Sequence, residues 1–311
     1  MLNIHNLIKK IFLIFSSNKV LFRIFNWIYE NSSQKLCWYL ERYISPPKFD
    51  FQWRIKMPNN KIISYPYLSS DPYFSFHFPL SYRRNDHLIR RIEILIDQVY
   101  PNDSIYFDIG ANLGLRSLYY ASSGRTVYMF EPNLKLREYT TRIIDANKFD
   151  KLFLMNNLIG SKNGEIYDFY ISSSSYCSSV YHSELSGDTV EAITKVESIT
   201  IDKFIIDNDI LDKVKIVKID VEGFELDVFK GAIDLLAAKN IVILLEVLPG
   251  SQTQNELFNL LQRHDLSIFF IDNKEGVLTI CKNGFSNKTI DYLITNNMNL
   301  VETFKSKKLL K

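Results

Sequence analysis

Three short stretches hold residue types that could do chemistry. "FDIGANLGLRS", Phe107 to Ser117, runs apolar to Asp108 and then turns through Gly110 and Gly114. Glycines at that spacing let the chain turn sharply and let a ligand approach the main chain, close to the free N–H groups of a following helix. "MFEPN" places Glu131 seventeen residues after Gly114, where a carboxylate can accept both hydroxyls of a ribose in nucleoside-binding α/β folds. "KIDVEG" carries Asp220 and, two residues on, Glu222, which point the same way if the extended backbone persists through them. Such carboxylates can remove the proton of a hydroxyl as its oxygen becomes a nucleophile. The competing reading of Glu222 is a cap on a helix that starts near Phe224.

A dinucleotide fingerprint requires G-x-G-x-x-G, and Asn112 stands where the second glycine belongs, crowding a pyrophosphate. A ligand without phosphate, carrying a nucleoside and an amino acid, fits the turn better, and S-adenosylmethionine is of that kind. Asp108 would attract its ammonium. An NAD(P)-dependent oxidoreductase and a non-catalytic scaffold stay open as alternatives, because the fold alone does not choose among them.

The elements that must position these residues follow from the rhythm after Pro101. Apolar strands such as "SIYFDIG", "TVYMFEP", "VKIVKIDVEG" and "NIVILLEVLP" alternate with amphipathic helices. This predicts an α/β protein, a Rossmann-like doubly wound, mainly parallel sheet whose ligands sit at the carboxyl ends of the strands. After Asn157 a hairpin turning at Asn163-Gly164 is expected, Asp202 is expected to cap a short helix, and Glu246, ending "IVILLE", is a reserve contact for an acceptor. A hairpin turning between Asn273 and Gly276 closes the sheet, and the basic tail "FKSKKLLK" is expected to fray. The predicted divisions are a helical extension over 1–48, a short β extension over 49–84, the ligand-binding domain over 85–285 and a tail over 286–311.

A net charge of +2 argues against a dedicated nucleic-acid binder, but up to Met57 nine basic residues face only Glu30, Glu41 and Asp50. Three distant cysteines indicate neither a disulfide framework nor a zinc site, and a reducing, cytoplasmic setting is the default. The N-terminal "LIKKIFLIFSSNKVLFRIFNWIY" is too interrupted by charge to cross a bilayer. It reads equally as a basic amphipathic helix at the inner membrane face, anchored by Phe12, Phe15, Phe22, Phe25 and Trp27, or as a helix packed on its own domain or a second subunit. Peripheral membrane contact through residues 1–29 and a homodimer are therefore both open.

"FDIGANLGLRS", "MFEPN", "NNLIGSKNGE", "ESITIDKF" and "VKIVKIDVEGFELDVFKGA", in unbroken order from about Ser104 to Leu248, together resemble the FkbM-type SAM-dependent methyltransferases. The resemblance implies the class I methyltransferase fold and O-methylation of a hydroxyl, on a sugar of a glycan or glycolipid or on a secondary metabolite. It implies that Asp108, Gly110, Asn112 and Gly114 lie at the cofactor and Glu131 at its ribose, with Asn156 the choice for the adenine. Asp220 and Glu222 are the candidate bases. His182, in the serine-rich loop Ser172 to Ser183, is a third, since a loop on a rigid scaffold can form a lid and its imidazole titrates near neutrality. A divalent metal shared by Asp220 and Glu222 is conceivable, but no third ligand declares itself.

Overall fold

A computed structural model describes residues 2–30, 32, 36, 43–70, 76, 87–172, 178–181, 189–250 and 252–311, so His182 and Cys177 lie outside the described residues. The chain divides into two compact units, Met1–Asp86 with Thr141–Phe149, and His87–Thr140 with Asp150–Lys311.

The first unit contains α1 (Leu2–Ser17), α2 (Lys19–Glu30) and a hairpin of β1 (Phe51–Lys56) and β2 (Ile62–Tyr67). Asn18 caps α2, its Oδ1 accepting the amides of Val20 and Leu21 at 3.0 and 3.1 Å. Strand alternation turns Trp53 and Ile55 inward. Phe22, Phe25 and Tyr29, three or four residues apart on α2, are buried with them. The Phe22 ring lies 4.6 Å from that of Phe51, and Tyr29 lies 6.1 Å from Trp53.

The second unit begins with α3 (His87–Val99), β3 (Ile105–Ile109), α4 (Leu115–Ser122), β4 (Val127–Phe130), α5 (Leu134–Asn147, whose last turns belong to the first unit) and β5 (Leu152–Met155). It continues through β6 (Leu158–Ile159), β7 (Ile166–Ser172), β8 (Val190–Ile199), α6 (Ile201–Asp207), β9 (Val214–Ile219), α7 (Glu225–Lys230) and α8 (Ile233–Ala237). It ends with β10 (Val242–Glu246), α9 (Gln254–Gln262), β11 (Ser267–Asp272), β12 (Val277–Ile280), β13 (Asp291–Thr295) and α10 (Met298–Ser306).

Eight of these strands form one sheet in the order β12-β11-β13-β10-β9-β3-β4-β5. The run from β10 to β5 is parallel, and β13, β11 and β12 are antiparallel to their neighbours. From β3 the chain steps outward to β4 and β5, and from β9 outward the other way to β10, so the order reverses between β3 and β9. This is the doubly wound α/β sheet that the strand–helix rhythm predicts. One apolar face, with Phe107, Val217, Ile219 and Ile243, packs on α6 to α9. The other carries α3, α4 and α10, with Tyr106 stacked on Tyr120 at 4.1 Å.

Several expectations need correction. Residues 286–311 are no tail: β13 is inserted between β10 and β11, Leu309 is buried, and the Leu278 amide donates to the Leu309 carbonyl. The apolar "YLI" of β13 and the spaced Leu300, Val301, Phe304 and Leu309 make the segment adherent despite its lysines. No hairpin joins β6 to β7, because β8 lies between them in a separate three-stranded sheet. Asn163 instead accepts the amide of Thr200 at 2.8 Å. Thr200, not Asp202, caps α6 through the Lys203 amide, and Asp202 accepts the amides of Asp234 and Leu235 at the start of α8.

One buried cation fastens the chain entering β3. Arg125, 1% exposed, binds Asp97 Oδ1 at 2.6 Å, the carbonyls of Asp97 and Tyr100 at 2.7 and 3.0 Å, and that of Pro101. Arg125→Met strips all these acceptors of their donor and is expected to cost about 3 kcal/mol, measured as a lowered urea midpoint at unchanged slope.

Candidate functional site

The reversal point brings two strand ends into close contact. Gly110 has φ +74°, and a Cβ on it would lie 1.8 Å from the Asp220 carbonyl oxygen, so this crossing admits only glycine. The Asp220 amide donates to the Ile109 carbonyl, and the amides of Gly110 and Ala111 both donate to Phe130 O. The ends of β3, β4 and β9 are thereby locked together.

Glu131 fixes the turn that follows. Its Oε2 accepts the Asn112 amide and its Oε1 the Asn133 amide, each at 2.8 Å, and Asn112 itself has φ 50°. Burial pushes the Glu131 carboxyl up to about 7, against the pull of those two amides toward the charged form.

A cavity opens at this point, lined among others by Gly110, Asn112, Glu131, Asp220 and Glu222, with Phe130, Leu136, Phe169 and Phe224 as apolar wall. Its described lining holds three carboxylates and no lysine or arginine. Ser178 and Val180 of the serine-rich loop also line it, and Ser179 Oγ donates to the Glu222 carbonyl at 2.8 Å. The extended backbone does not persist beyond β9, contrary to the condition placed on Glu222. Glu222 and Gly223 have φ 50° and 96°, and it is this left-handed turn that leaves Glu222 at the cavity beside Asp220. Glu225 accepts the Gly223 amide at 2.9 Å, and the α7 cap residue, Phe224, makes no side-chain cap bond.

Three further sequence candidates lie elsewhere. Asn157, not Asn156, is among the residues lining the cavity, both following the end of β5 at Met155. Gly114 packs on Met129, whose Cε would be 2.2 Å from an added Cβ. Asp108 faces the opposite side of the sheet from its neighbours Phe107 and Ile109, with Oδ2 accepting from Ser117 Oγ at 2.6 Å. It is 1% exposed, and its Oδ1 has no hydrogen-bond partner in the described structure.

That side of the sheet holds a charged group that the sequence reading passed over. Lys218, directly across from Asp108 and 9% exposed, pairs with Asp220 Oδ2 at 2.7 Å and Glu246 Oε1 at 3.7 Å. Burial works against its ammonium, but Asp220, Glu246 and Asp108 outweigh that and raise it above the usual lysine range. The signal was available: a lysine inside the apolar run "KIVKID" shares a face with the acid two residues later. Close by, Arg116 on α4 pairs with buried Glu93 of α3 at 3.2 Å. Among the described residues no three His, Cys, Asp or Glu side chains gather as a metal site.

A doubly wound sheet with a glycine crossing at its reversal point and an acid ending the next strand has the Rossmann-like α/β architecture of class I SAM-dependent methyltransferases. The Methyltransferase FkbM domain matches residues 108–268, and the chain belongs to this family of SAM-dependent methyltransferases. The hexuronic acid methyltransferase AglP of Haloferax volcanii is 27% identical over 156 residues, which are 49% of this chain and 59% of that protein. The match therefore spans under two thirds of the length of this curated relative. Among solved structures, Methyltransferase FkbM from Methylobacillus flagellatus KT is 14% identical with TM-score 0.41, over 72% of this chain and 55% of that one. A TehB-like SAM-dependent methyltransferase from Corynebacterium glutamicum is 13% identical with TM-score 0.38, over 73% and 97%.

The glycine crossing can be tested against a matched control. Gly124 has φ +90° with nothing within 4 Å of an added Cβ, whereas Gly110 meets the Asp220 backbone. Both alanine variants place a side chain at a positive φ that L residues rarely adopt. Gly110→Ala is expected to lower the melting temperature by several degrees more than Gly124→Ala, and calorimetry of the pair isolates the contact.

Proposed function

We propose that this protein transfers a methyl group from S-adenosylmethionine to a hydroxyl of a sugar, an acidic hexose unit being the first acceptor to test. The observation that carries the cofactor half is the cavity's charge: Glu131, Asp220 and Glu222 with no cation among its described lining. Such a lining repels a pyrophosphate and suits a ligand of net positive charge, whose sulfonium and ammonium outnumber its single carboxylate. The glycine crossing leaves backbone open to a ligand, and the apolar wall suits an adenine. These features fit the cofactor and count against the nicotinamide alternative. The sugar half is supported by AglP, which is named for hexuronic acid methylation.

In this reading Glu131 holds the ribose hydroxyls. Its oxygens each accept one backbone amide and keep a second lone pair for a hydroxyl donor. Asp220 is committed through Oδ2 to Lys218 and acts by fixing the turn and its charge. Glu222 is the base. It is a non-glycine residue in a left-handed conformation at the cavity, the kind of strain that folded proteins retain where function requires it. When bound, the cofactor supplies an electrophilic methyl group. Glu222 takes the acceptor hydroxyl's proton, so that the oxygen is not left as an oxonium when its new bond forms.

Titration of the protein with S-adenosylhomocysteine, followed by transfer of labelled methyl to uronic-acid and neutral oligosaccharides, tests both halves. Micromolar binding and preferential labelling of uronic acids are expected, and binding of NAD instead would sink the cofactor assignment. Glu222→Gln is expected to hold S-adenosylhomocysteine affinity within about threefold while lowering transfer by about 10²-fold or more.

The pH dependence has a definite sign. Ribose hydroxyls donate to the ionised form of Glu131, whose carboxyl titrates at about 7 in the ligand-free protein. Affinity for S-adenosylhomocysteine should therefore rise as pH passes upward through that value and level off above it. Glu131→Gln should weaken binding and flatten the profile, as read by titration calorimetry between pH 6 and 8, the window set by that carboxyl.

A further inference from the structure

The N-terminal helices use one face for their own unit and leave another exposed. On α2 the stripe Phe22, Phe25 and Tyr29 is buried, whereas Val20, Ile24, Trp27 and Ile28 are 65%, 48%, 65% and 40% exposed. On α1 the residues Leu7, Ile11 and Ile14 repeat the same spacing and are 58%, 43% and 57% exposed. Intervals of three and four put each set on one side of its helix. Lys9, Lys10, Lys19 and Arg23 are exposed on the same two helices, and no acidic residue occurs before Glu30.

We propose that this face docks on an anionic phospholipid surface, with α1 and α2 lying in the plane of the interface. The chemistry favours lipid over protein. Protein interfaces are depleted in lysine, but at a membrane the lysine and arginine heads reach phosphates while their stems and the apolar stripe enter the acyl boundary. Exposed Trp27 is of the residue type that concentrates at headgroup level. No single helix among the described residues is long and apolar enough to cross a membrane, and the pair Asn6–Ser17 and Lys19–Tyr29, which together have the length and composition, is bent by 112°. The phenylalanines expected as anchors divide differently, since Phe22 is buried against Phe51 of the hairpin and Phe25 against Phe12 and Phe15 of α1. The proposal goes beyond methyl transfer and does not depend on it.

The test is co-sedimentation of the full chain with phosphatidylcholine vesicles, with and without phosphatidylglycerol, at low and raised salt. Binding should require the anionic lipid, weaken with salt, and fall at least about tenfold in the Ile24→Glu/Trp27→Glu double variant. Ile206→Glu, at a 63% exposed apolar residue of the second unit, should bind as the parent does. Melting curves check that both variants fold, and both sites are already exposed to water. Failure to bind anionic vesicles, equal binding by the double variant, or a dimer that the double variant dissolves without any vesicle binding would each overturn the proposal.

Discussion

The contact between Gly110 and the Asp220 carbonyl is the constraint on which the site depends. With a would-be Cβ separation of 1.8 Å, the ends of β3 and β9 approach as closely as backbones can. That approach puts the first turn, the Glu131 carboxylate and the Asp220–Glu222 turn around one cavity. The sheet's order has to reverse at some pair of parallel strands, and the crevice opens at that pair. Glycine at position 110 makes this pair the tight one. The left-handed Asn112 and Glu222 then sit on either side of it, each turning its chain away from the sheet.

Much of this was legible because it depends on local rules. Strand ends, the glycine turn and the spacing to Glu131 are properties of sequence windows shorter than thirty residues, within which βα units are specified. The family resemblance rests on the same windows. What escaped depends on pairing between distant segments. β13 reads as part of a basic tail until β10 and β11 are seen on either side of it. β6 and β7 look like a hairpin because the intervening β8 arrives more than thirty residues later in the chain. At the site itself the sequence did not tell which side each residue takes: alternation turns Asp108 to the face of Ser117, and Asn157 rather than Asn156 is in the cavity's lining.

The two sides of the sheet end are electrostatically unequal. Toward the cavity lie carboxylates without a cation. Behind them Lys218 is buried among Asp108, Asp220 and Glu246, and Arg116 pairs with Glu93. Burying a lone lysine would cost several kcal/mol, so the cluster is tolerable only because its acids surround it. The cluster carries a functional consequence. Through Asp220, which belongs to both sides, the buried cation tempers the repulsion among three acids at the cavity without exposing a positive group to the ligand. A cation placed directly in the lining would have done the same for stability and would have repelled a sulfonium.

The N-terminal helices illustrate why composition alone could not choose between packing and membrane contact. Their sequence is apolar on more than one side, so a single hydrophobic direction calculated from it averages two stripes with different uses. The hairpin of β1 and β2 takes the aromatic stripe through Phe22 on Phe51 and Tyr29 on Trp53, while Phe25 packs on Phe12 and Phe15 of α1. Ile24, Val20 and Trp27 lie off that stripe, so the hairpin leaves them exposed. The two readings were never exclusive. Packing uses one stripe and so leaves the other exposed, on helices that also carry exposed Lys9, Lys10, Lys19 and Arg23.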